Sequence, residues 1–177
     1  MRLPSLLRLR HIIVLAVPII GGLLSQNLLN LVDTAMIGYL GNQALAAVGI
    51  SGFIFFFASS ILYGVSEAVQ VYVARYYGAQ KHERCLYPLQ QGLILTCLLG
   101  VVVTAFFWLN SNLILRLISQ DPTVQQMGGQ YLRWLLLALV PMSINFCFRS
   151  YWNGVNQPLR YMVILVLTHL CNILFNW

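Results

Sequence analysis

Apolar runs long enough to cross a lipid bilayer recur along this chain, separated by polar or glycine-rich breaks, near residues 12–38, 44–74, 88–109, 127–151 and 158–177. A helix rises about 1.5 Å per residue, so roughly 20 mostly apolar residues cover the ~30 Å of hydrocarbon. Runs of this length leave little of the 177 residues for a water-soluble domain. Composition points the same way: 8% of residues are charged and 59% hydrophobic, whereas an average soluble domain has roughly 25% charged residues. The expected fold class is all-α: a polytopic transmembrane bundle of about five helices, with the lipid bilayer as its solvent.

The second and fourth runs exceed one bilayer thickness, which predicts tilt or protrusion. Pro88 and Pro158 fall at first-turn positions, where a missing amide hydrogen costs nothing. Pro18 and Pro141 lie inside helices and predict kinks.

The formal charge of +6 does not point to nucleic acid, because the ten Arg and Lys residues sit at the edges of the apolar runs and form no basic face. They read instead as topology signals. Arg2, Arg8, Arg10, Arg75, Lys81, Arg84, Arg149 and Arg160 flank alternate connections, and only Arg116 and Arg133 fall on the other side. The positive-inside rule then predicts a cytoplasmic N-terminus and external loops around Gly41 and Asp121. The first run is too long for a signal-peptide core and has no small-residue cleavage site, so it is expected to remain. Cys85, Cys97, Cys147 and Cys171 show no CxxC pairing and are expected to be packing residues. The last run reaches Trp177 with no polar tail, which predicts a truncated chain; the alternative is a complete five-span protein anchored by Trp177.

Polar residues inside apolar runs carry the functional information, because a charge at the centre of a span costs roughly 2.5–3.5 kcal/mol on insertion scales. Asp33 shares one face of the first helix with Gln26 and Asn30, at offsets of seven and three residues. Such a stripe can hold a proton or a sodium ion; equally, Asp33 can be an acid solvated by headgroups. Glu67 is the second acid within a run, with Tyr63 and Gln70 on its helix surface and Arg75 further along, so pairing with a base competes with transport. The fifth helix presents Thr168 or His169, Asn172 and Asn176 at spacings of three and four. Asparagines at such spacing commonly bond transmembrane helices together, and His169 can either relay a proton or pack as a hydrogen bonder. In the fourth helix Asn145 and Arg149 lie one turn apart, and Arg149 is expected to snorkel to the inner interface. Tyr63 and the residues from Phe53 to Phe57 are candidates to line a pocket for flat cations.

An enzymatic reading exists as well. Gly49-Ile50-Ser51-Gly52 has the GxSG form of rhomboid intramembrane proteases, with His169 on a later helix. Glycine and serine are frequent in transmembrane helices, so so short a match arises easily by chance. The chain is therefore expected not to be an enzyme.

Several segments, in order, resemble the multidrug and toxic compound extrusion (MATE) family. Val17-Pro18, Gln26 and then Leu31-Val32-Asp33-Thr34-Ala35-Met36-Ile37-Gly38-Tyr39-Leu40-Gly41 are similar to that family's VDTxMxGxLG signature, and Ala44-Leu45-Ala46-Ala47-Val48 continues the match. Val73-Ala74-Arg75-Tyr76-Tyr77-Gly78-Ala79 resembles the end of its second helix and Gln91-Gly92-Leu93-Ile94-Leu95 the start of its third. Arg149-Ser150-Tyr151 and Asn172-Ile173-Leu174-Phe175-Asn176-Trp177 resemble helices four and five.

The resemblance implies a NorM-like or DinF-like antiporter of two six-helix lobes that exports small organic cations against H+ or Na+, with this chain supplying about five helices of the N-terminal lobe and the C-terminal lobe missing. It also implies cation coupling at Asp33, with Gln26, Asn172 and Asn176 nearby and Na+ as the one candidate metal, at Asp33. No other cofactor is implied. The asparagine at Asn176, where some branches carry aspartate, is closer to the NorM-like branch. The expected location is the bacterial inner (plasma) membrane. Asn30, Glu67 and His169 remain secondary candidates.

Overall fold

The computed structural model describes residues 6–175, except for the side chains of some positions in the first and last helices. Among the described residues there are six α-helices and no strand: α1 (Leu6–Gly38), α2 (Asn42–Gly78), α3 (Leu86–Ile118), α4 (Pro122–Leu137), α5 (Leu139–Gly154) and α6 (Pro158–Phe175), with a short 3-10 turn (His82–Arg84) before α3. Helices α2 and α3 are each long and apolar enough to cross a membrane, and α4 and α5 qualify together as one bent span.

The bend between α4 and α5 is 45°. Pro141 has no amide hydrogen to give the carbonyl of Leu137, and the backbone breaks at Ala138, whose N–H turns to Leu135 O at 3.0 Å. The expected kink at Pro141 therefore divides the predicted fourth helix in two. Helix α1 runs unbroken through Pro18. Pro88 and Pro158 fall in the first turns of α3 and α6. Helix α3 continues past the expected end near 109, through Asn110, Ser111 and Asn112. Asn110 and Ser111 bond back to the helix carbonyls of Phe106 at 2.8 Å and Trp108 at 3.0 Å, while Ser111 and Leu115 are fully buried. Packing outweighs the polar composition there.

Three spans form the core, and small residues on a regular stripe decide how. The buried positions of α2 are Ala44, Ala47, Ser51, Ile54, Ala58, Ser59, Leu62, Ser66, Val69 and Val73, a stripe advancing by three or four residues. Lipid tails are as apolar as leucine, so close backbone approach supplies much of the attraction between helices in a bilayer. Gly92 of α3 faces Val69, Gly100 faces Val140 and Leu62, Gly128 of α4 faces Leu115 and Ser51, and Gly154 of α5 faces Val73. These contacts make α2 parallel to α4–α5 and antiparallel to α3. Cys147, buried in the same seam, lies 3.3 Å from Thr96, and all four cysteines are free.

A methyl group added at Gly154 would lie 2.7 Å from Val73 Cγ1 and 3.1 Å from the Gln70 carbonyl. Gly154→Ala is thus expected to destabilise the bundle, since overpacking costs about 1–3 kcal/mol against a helix-propensity gain of up to ~1 kcal/mol. A thermal midpoint in detergent that rises on substitution would contradict this contact.

The turns sort into two ends. Residues 39–41 and 119–121 meet at one end, where Gln43 Nε2 donates to Asp121 Oδ2 at 3.2 Å. Asp121 caps α4, accepting from Thr123 N at 2.8 Å, and that backbone bond holds its carboxyl below the usual aspartate range. The cap's contribution is present above about pH 4, the unfolded value, and is lost as pH falls through the lowered folded one. At the opposite end lie the 79–85 and 155–157 turns, closed by Gln80 (φ 59°) and Asn156 (φ 64°) in the left-handed region. Lys81 N reaches Tyr76 O at 3.0 Å and Gln157 N reaches Trp152 O at 2.9 Å, which satisfies carbonyls at both helix ends.

Helices α1 and α6 form a separate pair beside this core. Gly21 and Gly22 of α1 lie against Met162 and Leu165 of α6. Connectivity makes the two helices parallel, so positions 26–33 of α1 run level with roughly 168–175 of α6 at the helical rise.

Candidate functional site

Two polar stripes, one on α2 and one on α5, meet inside the bundle. Tyr63, Glu67 and Gln70 recur on α2 at offsets of four and three, and Asn145, Phe146, Arg149 and Asn153 lie along α5. Because the helices are parallel and in register, the stripes pair rung by rung. Arg149 Nη2 donates to Tyr63 Oη and to Glu67 Oε1, the latter at 3.4 Å, and Asn153 Nδ2 donates to Gln70 Oε1 at 3.4 Å. The guanidinium carbon lies 4.7 Å from the Tyr63 ring centroid and 5.2 Å from that of Phe146, and the two rings meet edge to face at 5.0 Å. Helix α6 joins through Tyr161, whose hydroxyl donates to Asn145 Oδ1 at 3.0 Å.

This is an acid and two aromatic faces closed around a cation that the protein supplies. The Arg149 side chain is 16% exposed and that of Glu67 47%. The pair is thus half open, and the ring faces contribute alongside the ion pair. Arg149 Nε is buried with no hydrogen-bond partner.

The expectation that Arg149 snorkels to the bundle end is corrected here. Side chains on a helix lean toward its N-terminus, and for Arg149 that direction leads away from the near end of α5 and into the bundle. The base that pairs with Glu67 is accordingly Arg149 and not Arg75. Both stripes are visible in the sequence; their pairing depends on the register of two helices about 80 residues apart, to which the close contact of Gly154 with Val73 contributes.

The other sequence-derived candidates fall as follows. Gln26 and Asp33 stand on α1, and His169 and Asn172 on α6, but their side chains lie outside the described residues, as does Asn176 altogether. Asn30 is exposed on α1, and its carbonyl accepts from Thr34 Oγ1 at 2.7 Å. Among the described residues no group of three or more His, Cys, Asp or Glu comes together. Phe53, Phe56 and Phe57 stand on the exposed surface of α2, while Tyr63 is covered by Arg149. Ser51 is fully buried, and its hydroxyl faces the carbonyls of Ala47 at 2.7 Å and Gly128 at 2.9 Å. That places it in the α2–α4 packing, with no access for a peptide substrate.

The chain matches known proteins along nearly its whole length. The "Probable multidrug resistance protein NorM" of Mesorhizobium japonicum is 28% identical over 96% of this chain and 36% of that protein. The "Multidrug resistance protein NorM" of Burkholderia vietnamiensis is 34% identical over 85% of this chain and 36% of its own length. A solved structure described as a MOP superfamily transporter from Pyrococcus furiosus superposes with a TM-score of 0.86 at 26% identity, covering 93% of this chain and 36% of the other. Another, described as the outward-facing conformation of a multidrug resistance MATE family transporter, matches with the same TM-score and identity. The chain therefore spans about a third of the length of the relatives it matches. The MatE family model matches residues 18–177, and the chain belongs to the MatE family of membrane transporters.

Proposed function

We propose that this chain forms the N-terminal lobe of a secondary antiporter that exports small organic cations or drugs across the bacterial inner membrane in exchange for H+ or Na+. The observation that carries this reading is the match to multidrug transporters in both sequence and fold over nearly the whole chain. A C-terminal lobe is the required partner, since alternating access needs two walls moving about a central site. The N-terminus is cytoplasmic in this proposal, which is supported by Arg75, Lys81, Arg84 and Arg160 lying toward one end of the bundle.

Coupling is assigned to Asp33, assisted by Gln26, Asn172 and Asn176. Their helices are neighbours and run level, which supports a shared site between α1 and α6. A proton or Na+ taken up there alters how α1 and α6 pack. The change reaches α5 through Tyr161 and Asn145, and α2 through Arg149 and Glu67. The test is ethidium efflux from vesicles holding the lobe together with a C-terminal lobe: transport that collapses when the proton and sodium gradients are dissipated supports antiport. Transport that persists without either gradient contradicts it.

A further inference from the structure

On the side of α2 away from the Arg149 cluster, α2 and α3 enclose a groove of 280 Å³. Ala68, Val69 and Gly92 are among its lining residues, and Gly92 lets α3 lie close against α2 beside it, because a methyl group there would lie 2.2 Å from Val69 Cγ2. Tyr72, Tyr76 and Tyr87 wall one end. Along α2 the groove runs from Val65 to Tyr76, roughly 16 Å by helical rise, close to the ~15 Å of hydrocarbon in one leaflet. The flanking surface, with Val71, Leu86, Ile94 and Leu98, is exposed and apolar.

The tyrosine end abuts the 79–85 turn, which is fastened to it by the Lys81 N to Tyr76 O bond at 3.0 Å. Arg75, Lys81 and Arg84 are exposed there, against the single acid Glu83. An apolar slot one leaflet deep, a ring of amphipathic tyrosines at its mouth and a net positive turn above it match one ligand class from tail to head.

We propose that this groove seats an acyl chain of an anionic phospholipid, with its phosphate held by Lys81 and Arg84. The inference rests on the membrane-spanning bundle alone, so its failure leaves the antiport reading untouched, and the reverse. A bound lipid would fasten α2 to α3 at the basic end of the lobe.

Native mass spectrometry of the chain in a nonionic detergent tests this with phosphatidylglycerol and phosphatidylcholine as probes. One phosphatidylglycerol is expected to be retained per chain at roughly tenfold lower lipid concentration than phosphatidylcholine. The Lys81→Gln/Arg84→Gln variant, changed only at exposed positions, should lose that preference, and Ala68→Phe, which places a ring in the groove, should lose retention of both lipids. Far-UV circular dichroism reports whether each variant keeps its helices. Equal retention of the two lipids, a preference that survives the charge substitutions, or a chain released as a lipid-free dimer would each overturn the proposal.

Discussion

Asn in place of Asp33, in a transporter assembled from this lobe and a C-terminal one, is expected to abolish gradient-driven efflux while leaving the protein in the membrane at its normal level. Asparagine nearly matches aspartate in size and keeps its hydrogen-bonding reach, but it cannot ionise. Insertion is not at risk, because an acid in a span costs about 2.5–3.5 kcal/mol and the amide costs less. The measurement is ethidium efflux under an imposed pH or sodium gradient, normalised to transporter in the membrane. Efflux undiminished by the substitution would remove Asp33 from the coupling site and shift attention to Glu67, the other acid within a described span.

Arg149→Met should cost the bundle about 2 kcal/mol, more than Glu67→Gln. Methionine fills much of the arginine stem's volume, so the loss reflects the head group. The head group has Tyr63 and Phe146 at cation–π distance, a hydrogen bond to Tyr63 and an ion pair with Glu67. Cation–π contacts contribute roughly 0.5–2 kcal/mol each according to desolvation. A fully buried pair broken on one side costs 3–5 kcal/mol, but Glu67 is 47% exposed, which discounts that figure steeply. For the same reason Glu67→Gln keeps an acceptor for Arg149 and should cost under about 1 kcal/mol. Thermal unfolding of the two single variants and the double variant gives the coupling. A coupling well above 1 kcal/mol would mean that the ion pair, and not the aromatic faces, holds Arg149.

What the sequence reveals and what it hides differ by physical cause. Span-length apolar runs announce α2 and α3 because hydrocarbon tolerates little else, and Pro141 announces a kink because it removes a hydrogen bond from its helix, although Pro18 removes one from α1 without interrupting it. The end of α3 is hidden: Asn110, Ser111 and Asn112 look like a loop, and only burial of Ser111 and Leu115 against the neighbouring spans keeps them helical. The glycine and serine stripes that set helix register are present in the sequence, yet a small residue carries no sign of which neighbour it will meet. Ser51 shows the hazard, since the same residue fits a protease motif on paper and a helix contact in the fold. Asp33 stands out through its signature segment, whereas Arg149 becomes interpretable only once the parallel register of α2 and α5 is known.

The pairing of α1 with α6 bears on how the protein is made. Gly21 and Met162 are separated by most of the chain, and at ~5–20 residues per second the ribosome takes roughly 7–28 s to synthesise the intervening ~140 residues. During that interval α1 has entered the bilayer while the helix it will lie against does not yet exist. Its glycine face must wait against lipid or against an insertion chaperone, and the core of α2 to α5 can assemble first. Slowing elongation ahead of α6 should therefore lengthen the life of a species in which α1 is inserted but unpaired.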